Sequence, residues 1–275
     1  MIWLKPLTRP LLLTSTLALV IYIVVVPLAT EAKPVRRPGL VEKIRRIFSG
    51  RNRSIGLSPG RQSGGATRDR CPAVDKPLTA LVPTTDDGLP FIEATIAEHP
   101  TFWFYVPYSH QPERWVEFVL IDEAEADVYY QTFQLAETPG IISVQLPDTA
   151  TPLQLGKQYR WVLSVICDLD NRLVDVERSR EVASSGDIAI DGWLKRVSLA
   201  ADVQKQLDGA MNPIERAQVY AEGVLWHEAL TTLAQFRLEN PQFADAEGLW
   251  LDLLESVQLD DVVLEPLTTC CTVKK

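Results

Sequence analysis

The chain contains no pair of cysteines two residues apart, no His-Glu-x-x-His run and no Gly-Lys-Ser/Thr ending to a glycine-rich loop. These absences exclude the short zinc motifs, the zinc-peptidase helix and the nucleotide phosphate loop. Its three histidines, His99, His110 and His227, have no recognisable nucleophile partner along the sequence. A net charge of -9 over 275 residues excludes a uniformly basic nucleic-acid domain, and no specific nucleic-acid binding is expected. The longest apolar run, "LLLTSTLALVIYIVVV" at 11–26, has 16 residues, short of the ~20 that a straight membrane-spanning helix needs.

What is there begins with that run. Lys5 and Arg9 precede it, and "PLATEA" follows with Thr30 and Ala32 at signal-peptidase spacing. Residues 1–32 therefore resemble a secretory signal peptide, with an uncleaved membrane anchor as the alternative. Lys33, Arg36, Arg37, Lys43, Arg45 and Arg46 count against export, because positive charge after an anchor holds that side in the cytoplasm. The cysteines point the other way. Cys71, Cys167, Cys270 and Cys271 are an even number without metal spacing, as expected for disulfides in an oxidising compartment. Of the three connectivities, Cys71 with Cys167 is expected, since a bridge between adjacent Cys270 and Cys271 has poor geometry. The alternative for Cys167, which lies in an apolar run, is a buried free thiol. The expected location is extracytoplasmic, in the periplasm or cell envelope.

Charge divides the rest. Residues 33–70 carry eleven Lys or Arg against Glu42 and Asp69, about +9, whereas the chain from Cys71 onward is about -19. Outside "LVEKIRRIF" the basic stretch holds few core-forming residues, so it is expected to be a disordered linker. Its alternative is an amphipathic helix, with Leu40, Val41, Ile44, Ile47 and Phe48 on one side, lying on an anionic membrane surface. "GRQSGGATR" adds a glycine-rich turn in which Arg61, Gly64, Gly65 and Arg68 are candidate anion-binding residues.

From Cys71 to about Asp191 the period is two. Strands are expected near 78–83, 101–107, 116–122, 128–135, 140–146 and 159–167, separated by Pro, Gly and Asp. Six such strands without intervening helices suggest an antiparallel β-sandwich of immunoglobulin-like or jelly-roll-like type over 71–191. The aromatic run "TFWFYVP" puts Trp103 and Tyr105 on one face and Phe102 and Phe104 on the other. Both faces are apolar, which favours a core strand; an exposed face would instead make Trp103 and Tyr105 a glycan-stacking platform. "CDLDNRLVD" has the spacing of two calcium-loop ligands at Asp168 and Asp170. It fails at Arg172 and at the missing glycine, so a hairpin turn is expected. The acidic "IDEAEAD" at 121–127 reads as a solvated loop.

After Ile190 the period becomes helical over 192–275. Trp226, Ala229, Leu233 and Pro241 match the second half of a tetratricopeptide repeat, and Ala217 and Gly223 loosely match the first, giving a TPR-like hairpin.

In order along the chain, "GRQSGGATRDRC", "LTALVP", "PTFWFYVPY", "PGIISVQLP", "GKQYRWVLSVICD", "GWLKRV", "YAEGVLWHEALTTLAQFR" and "CC" resemble the cyanobacterial domain of unknown function 928 from about residue 57 onward. Gln62 and Ala66 depart from that family's "GRRxGGGTR" block. The resemblance implies an extracytoplasmic or membrane-associated setting and supplies no activity or site. The expectation is an α+β multidomain envelope protein with no cofactor and no metal, acting as a non-enzymatic binding or scaffolding module. Its expected partners are an envelope protein or a polysaccharide. A glycan-binding module and an enzyme whose site forms only in the fold are the alternatives.

Overall fold

Among the described residues, alternation of apolar side chains generates nine strands, and helical spacing generates five helices. The strands are β1 (Ser63–Gly64), β2 (Leu78–Ala80), β3 (Ile92–Thr95), β4 (Thr101–Val106), β5 (Trp115–Asp122), β6 (Asp127–Gln134), β7 (Gly140–Gln145), β8 (Gln158–Ile166) and β9 (Ile188–Arg196). The helices are α1 (Pro38–Phe48), α2 (Ala201–Gly209), α3 (Pro213–Glu222), α4 (Trp226–Glu239) and α5 (Ala244–Ser256). This computed structural model describes residues 33–48, 60–64, 71–85, 88, 90–110, 114–135, 137–167 and 188–268. The signal-peptide or anchor segment, 1–32, lies outside the described residues.

The architecture is α+β. One sheet has the order β1-β2-β4-β7 and is antiparallel; the other has the order β3-β9-β8-β5-β6, antiparallel except for the parallel β3–β9 pair. The sheets share a core. Phe102, Phe104 and Ile142 from the first meet Phe118, Trp161, Leu163 and Ile190 from the second, with the Phe102 and Phe118 rings 4.9 Å apart. At one margin Arg61 pairs with Asp191 while Ser63 and Gly64 pair with β2, so residues 60–64 touch both sheets. Gly64 suits the crossing, because a Cβ there would lie 2.7 Å from Ile188.

The other face of β4 belongs to a second core. Trp103 and Tyr105 join Trp226, Leu230 and Leu233 of α4, the buried faces of α3 and α5, and three residues of α1. Strand β9 runs on to Arg196 where a helix was expected after Ile190. "IAIDGWLKR" is long and alternates in burial, and pairing with β8 along its whole length decides its conformation.

Helix α1 is the main departure from expectation, because it lies inside the segment read as a disordered linker. Pro38 opens it, Arg45 and Arg46 complement its C-terminal dipole, and Leu40, Ile44 and Phe48 form one buried stripe. Composition treated the segment's charge as decisive, yet the stripe finds a hydrophobic cleft against α5 and α3. Phe48 packs edge-on to Phe91 and Trp226. Arg36 pairs with Asp252 and Glu255, Arg37 N donates to Asp252, and Lys43 pairs with Glu222. Gly248 in α5 permits this approach, since a Cβ would lie 2.0 Å from the Val35 carbonyl oxygen. Among the described residues no helix is long and apolar enough to cross a membrane.

Candidate functional site

Two arrangements of polar groups stand out, one sealed and one open. The sealed one forms where the first turn of α4 enters between the sheets. His227 Nδ1 lies 3.1 Å from the Thr101 carbonyl oxygen on β4 and Nε2 lies 2.5 Å from Glu93 Oε2 on β3. A carbonyl only accepts, so Nδ1 carries a proton. A second proton is therefore shared between Nε2 and the carboxyl of Glu93. Burial holds the Glu93 carboxyl above its ordinary range, against the pull of His227. Burial pulls His227 down, but the hydrogen bond and charge of Glu93, with the charge of Glu228, leave it raised. Both residues are only 4% exposed. Glu228 is held beside them by Thr95 Oγ1 and by the Ile96 and Ala97 N–H groups. This is a histidine with a carboxylate, but both residues are buried, and the pair ties both sheets to α4.

The open arrangement lies on the outer face of the five-stranded sheet, a groove of about 680 Å3. Strand pairing aligns Tyr130, Val119, Val162 and Asp191 in one transverse row and Ile121, Arg160 and Trp193 in the next. Tyr130 donates to Glu117 at 2.7 Å and is 53% exposed. Arg160 is held by Asp191 at 2.9 Å. At the rim, Asp122 accepts from the N–H groups of Ala124 and Ala126 and closes the β5–β6 turn. Glu125 in that turn adopts φ 60, a left-handed conformation that costs about 1–2 kcal/mol outside glycine. Glu117, Asp122, Glu125 and Asp127 line the groove together with Arg160, which is paired with Asp191. An exposed aromatic ring and a carboxylate rim can meet a ligand with an apolar face and hydrogen-bond donors at its edge.

The residues singled out in the sequence are distributed otherwise. Trp103 and Tyr105, considered for glycan stacking, are 5% exposed. That platform is corrected: α4 covers Trp103, whose indole donates to Thr231 Oγ1 at 2.9 Å. In the candidate anion cradle, the Arg61 N–H donates to Asp191 and Gly64 is paired in β1. Gly65 and Arg68 lie outside the described residues, as do Asp168, Asp170, Cys270 and Cys271. Cys71 and Cys167 form a disulfide. His99 sits 3.8 Å from the exposed Asp148, and His110 does not line the groove. Among the described residues no group of three His, Cys, Asp or Glu is placed to hold a metal. The groove is not visible in the sequence because Tyr130 and Trp193 lie outside the aromatic run, 23 and 86 residues beyond Pro107. The available signal was "VYYQ", in which alternation must turn one of two adjacent tyrosines outward.

The fold and these sites define a disulfide-closed α+β protein with a charged pair sealed inside and an acidic, aromatic groove outside. The family model described as Domain of Unknown Function (DUF928) matches residues 63–267, and the chain belongs to that family. No curated protein and no solved structure matches it.

Proposed function

We propose that this protein is a non-enzymatic binding or scaffolding module of the cell envelope, and that its binding face is the outer groove of the five-stranded sheet. The observation that carries the reading is Tyr130: a large ring left half exposed on the outer sheet face, lining one groove with Trp193 and four carboxylates. The histidine–carboxylate pair at contact distance is sealed from substrate, which favours binding over catalysis. Two sheets around a common core support the finer description as a β-sandwich, immunoglobulin-like or jelly-roll-like. Ala217, Ala221 and Ala229, all buried where α3 meets α4, support a TPR-like hairpin.

The Cys71–Cys167 bridge favours an oxidising compartment, and with the signal-like 1–32 segment it supports an extracytoplasmic location. The partner is an envelope protein or polysaccharide. An anionic membrane is a second surface, met through exposed Arg45 and Arg46, because the apolar face of α1 is occupied by the protein's own core. A photo-crosslinking residue at position 130 of the full chain, expressed in its own cells, tests the reading. A crosslinked product is expected there and not from position 211, where Met211 is highly exposed and distant in sequence from the groove. Equal yields from both positions would remove the groove from consideration.

A further inference from the structure

Helix α1 and the slot that holds it have the parts of a ligand and a receptor. The slot lies between α3 and α5 and ends against Phe91 and Trp226. These elements all fall within the family match of 63–267, whereas the helix that fills the slot, Pro38–Phe48, falls outside it. We propose that the slot is a docking site for a basic amphipathic helix in trans, and that the partner is a second copy of this chain, the two copies exchanging residues 33–48.

Leu40, Ile44 and Phe48 are buried at i, i+4 and i+8 along one side of α1, the spacing by which a groove reads a separate helix. At 11 residues α1 is too short to be stable alone, so it orders on docking, as a binding peptide does. The polar contacts fix its direction. Arg36 reaches Asp252 and Glu255 ahead of the helix, Lys43 reaches Glu222 further along, and Gly248 admits the backbone at Val35. These contacts all fall on residues 35–48, so the same segment of another copy would make the same set.

Charge favours a second copy as its source. Residues 33–70 carry about +9 and the chain from Cys71 onward about -19, so the basic arm of one copy is drawn to the acidic body of another. The connection from 49 to 59 has eleven residues, a reach of up to about 36–40 Å when extended, which exceeds two helix diameters of about 10–12 Å each. Tethering gives a chain's own helix an effective concentration in the mM range. Exchange therefore belongs to crowded conditions, and once made it is held at two slots.

Ile44→Asp in the full chain disables its own helix and leaves the slot open to a synthetic peptide of residues 33–48. Calorimetric titration should show saturable binding, and the melting temperature should rise as peptide is added. The parent chain, with its slot filled, should bind the peptide at least tenfold more weakly. A peptide carrying Ile44→Asp, or Arg36→Ala with Lys43→Ala, should also lose at least tenfold. If Ile44→Asp does not fold, Ile44→Ala takes its place. The parent refolded from urea at high protein concentration should give a dimer by light scattering, which excess peptide resolves to monomer, whereas Ile44→Asp refolded in the same way should stay monomeric. No peptide binding by the folded Ile44 variant, or equal binding by variant and parent, would overturn the docking site. A parent that stays monomeric after concentrated refolding, or a dimer that survives both excess peptide and the Ile44 substitution, would overturn the second copy as partner.

Discussion

Replacing Ile44 by alanine asks whether the basic N-terminal segment is an appendage or part of the core. Ile44 is fully buried on α1, between Leu40 and Phe48 and against the helices that end the chain. Removing its outer carbons forfeits their transfer energy and leaves a cavity, a loss of about 2–5 kcal/mol for this class of substitution. Phe48→Ala should cost about 3–5 kcal/mol by the same reasoning. Its edge-on contacts at 5.5 Å to Phe91 and 5.9 Å to Trp226 place it toward the upper end. In a chain of this size each kcal/mol moves the melting temperature by about 2–4 °C, so Ile44→Ala should lower it by about 4–20 °C. Urea unfolding followed by tryptophan fluorescence is the assay, since Trp226 reports directly on the Phe48 contact. Arg45→Ala, on the exposed face, is the control and should stay within about 0.5 kcal/mol of the parent. If Ile44→Ala is as stable as Arg45→Ala, α1 is not part of the core and the described packing is wrong.

Three further outcomes are expected. Changing Cys71 and Cys167 together to serine opens a loop spanning 96 residues; a cross-link of that span is worth up to about 4.7 kcal/mol by chain entropy, and an unchanged urea midpoint would show the bridge to be dispensable. Gly248→Ala should lower the melting temperature despite alanine's better helix propensity, because the Val35 backbone must move away; a rise would mean that residues 33–37 do not cross α5. The His227–Glu93 pair should make stability fall as pH rises. The folded-state pKa of His227 is raised above its ordinary 6.5, so its contribution is complete below that pH and is lost as pH climbs through the folded value; the raised Glu93 carboxyl acts with the same sign. Melting curves from about pH 6 to pH 9 should show the decline in the parent and a flatter profile in Glu93→Gln, which keeps a donor facing Nε2. Parallel profiles would remove the shared proton from the account.

The sequence made some elements readable for identifiable reasons. "TFWFYV" shows two apolar faces because β4 is the strand between two cores: Phe102 and Phe104 look toward the opposing sheet, Trp103 and Tyr105 toward α4. Six expected strands match β2 and β4 to β8 in position, because each is bounded by turn residues and buries at least one face. Strands β1 and β3 were too short to leave a period, and "IEAT" in β3 carries a buried glutamate whose partner, His227, is 134 residues away. Helices α2 to α5 were legible from spacing. For α3 the local chemistry also marks the start, with Asn212 accepting from Glu215 N ahead of Pro213. The buried stripe of α1 was visible as an amphipathic pattern; what covers it was not, since its partners lie at the other end of the chain. The groove was illegible for the same reason, as Tyr130 and Trp193 become neighbours of one surface only through the β6-β5-β8-β9 strand order.

The contact between Arg36 and Asp252 joins residues 216 apart, and that distance sets an order of events. The ribosome releases α1 well before α5; at 5–20 residues per second the first helix waits on the order of 10–40 s for its partner. Through that interval Leu40, Ile44 and Phe48 have nothing to cover them, and the helical layer cannot close however quickly the sheets form. Two helices that meet only after such a delay depend on each other for cover: loss of either α1 or α5 bares the same apolar surface. A copy lacking either helix therefore exposes the kind of sticky patch that chaperones and proteases read, while one with both hides it.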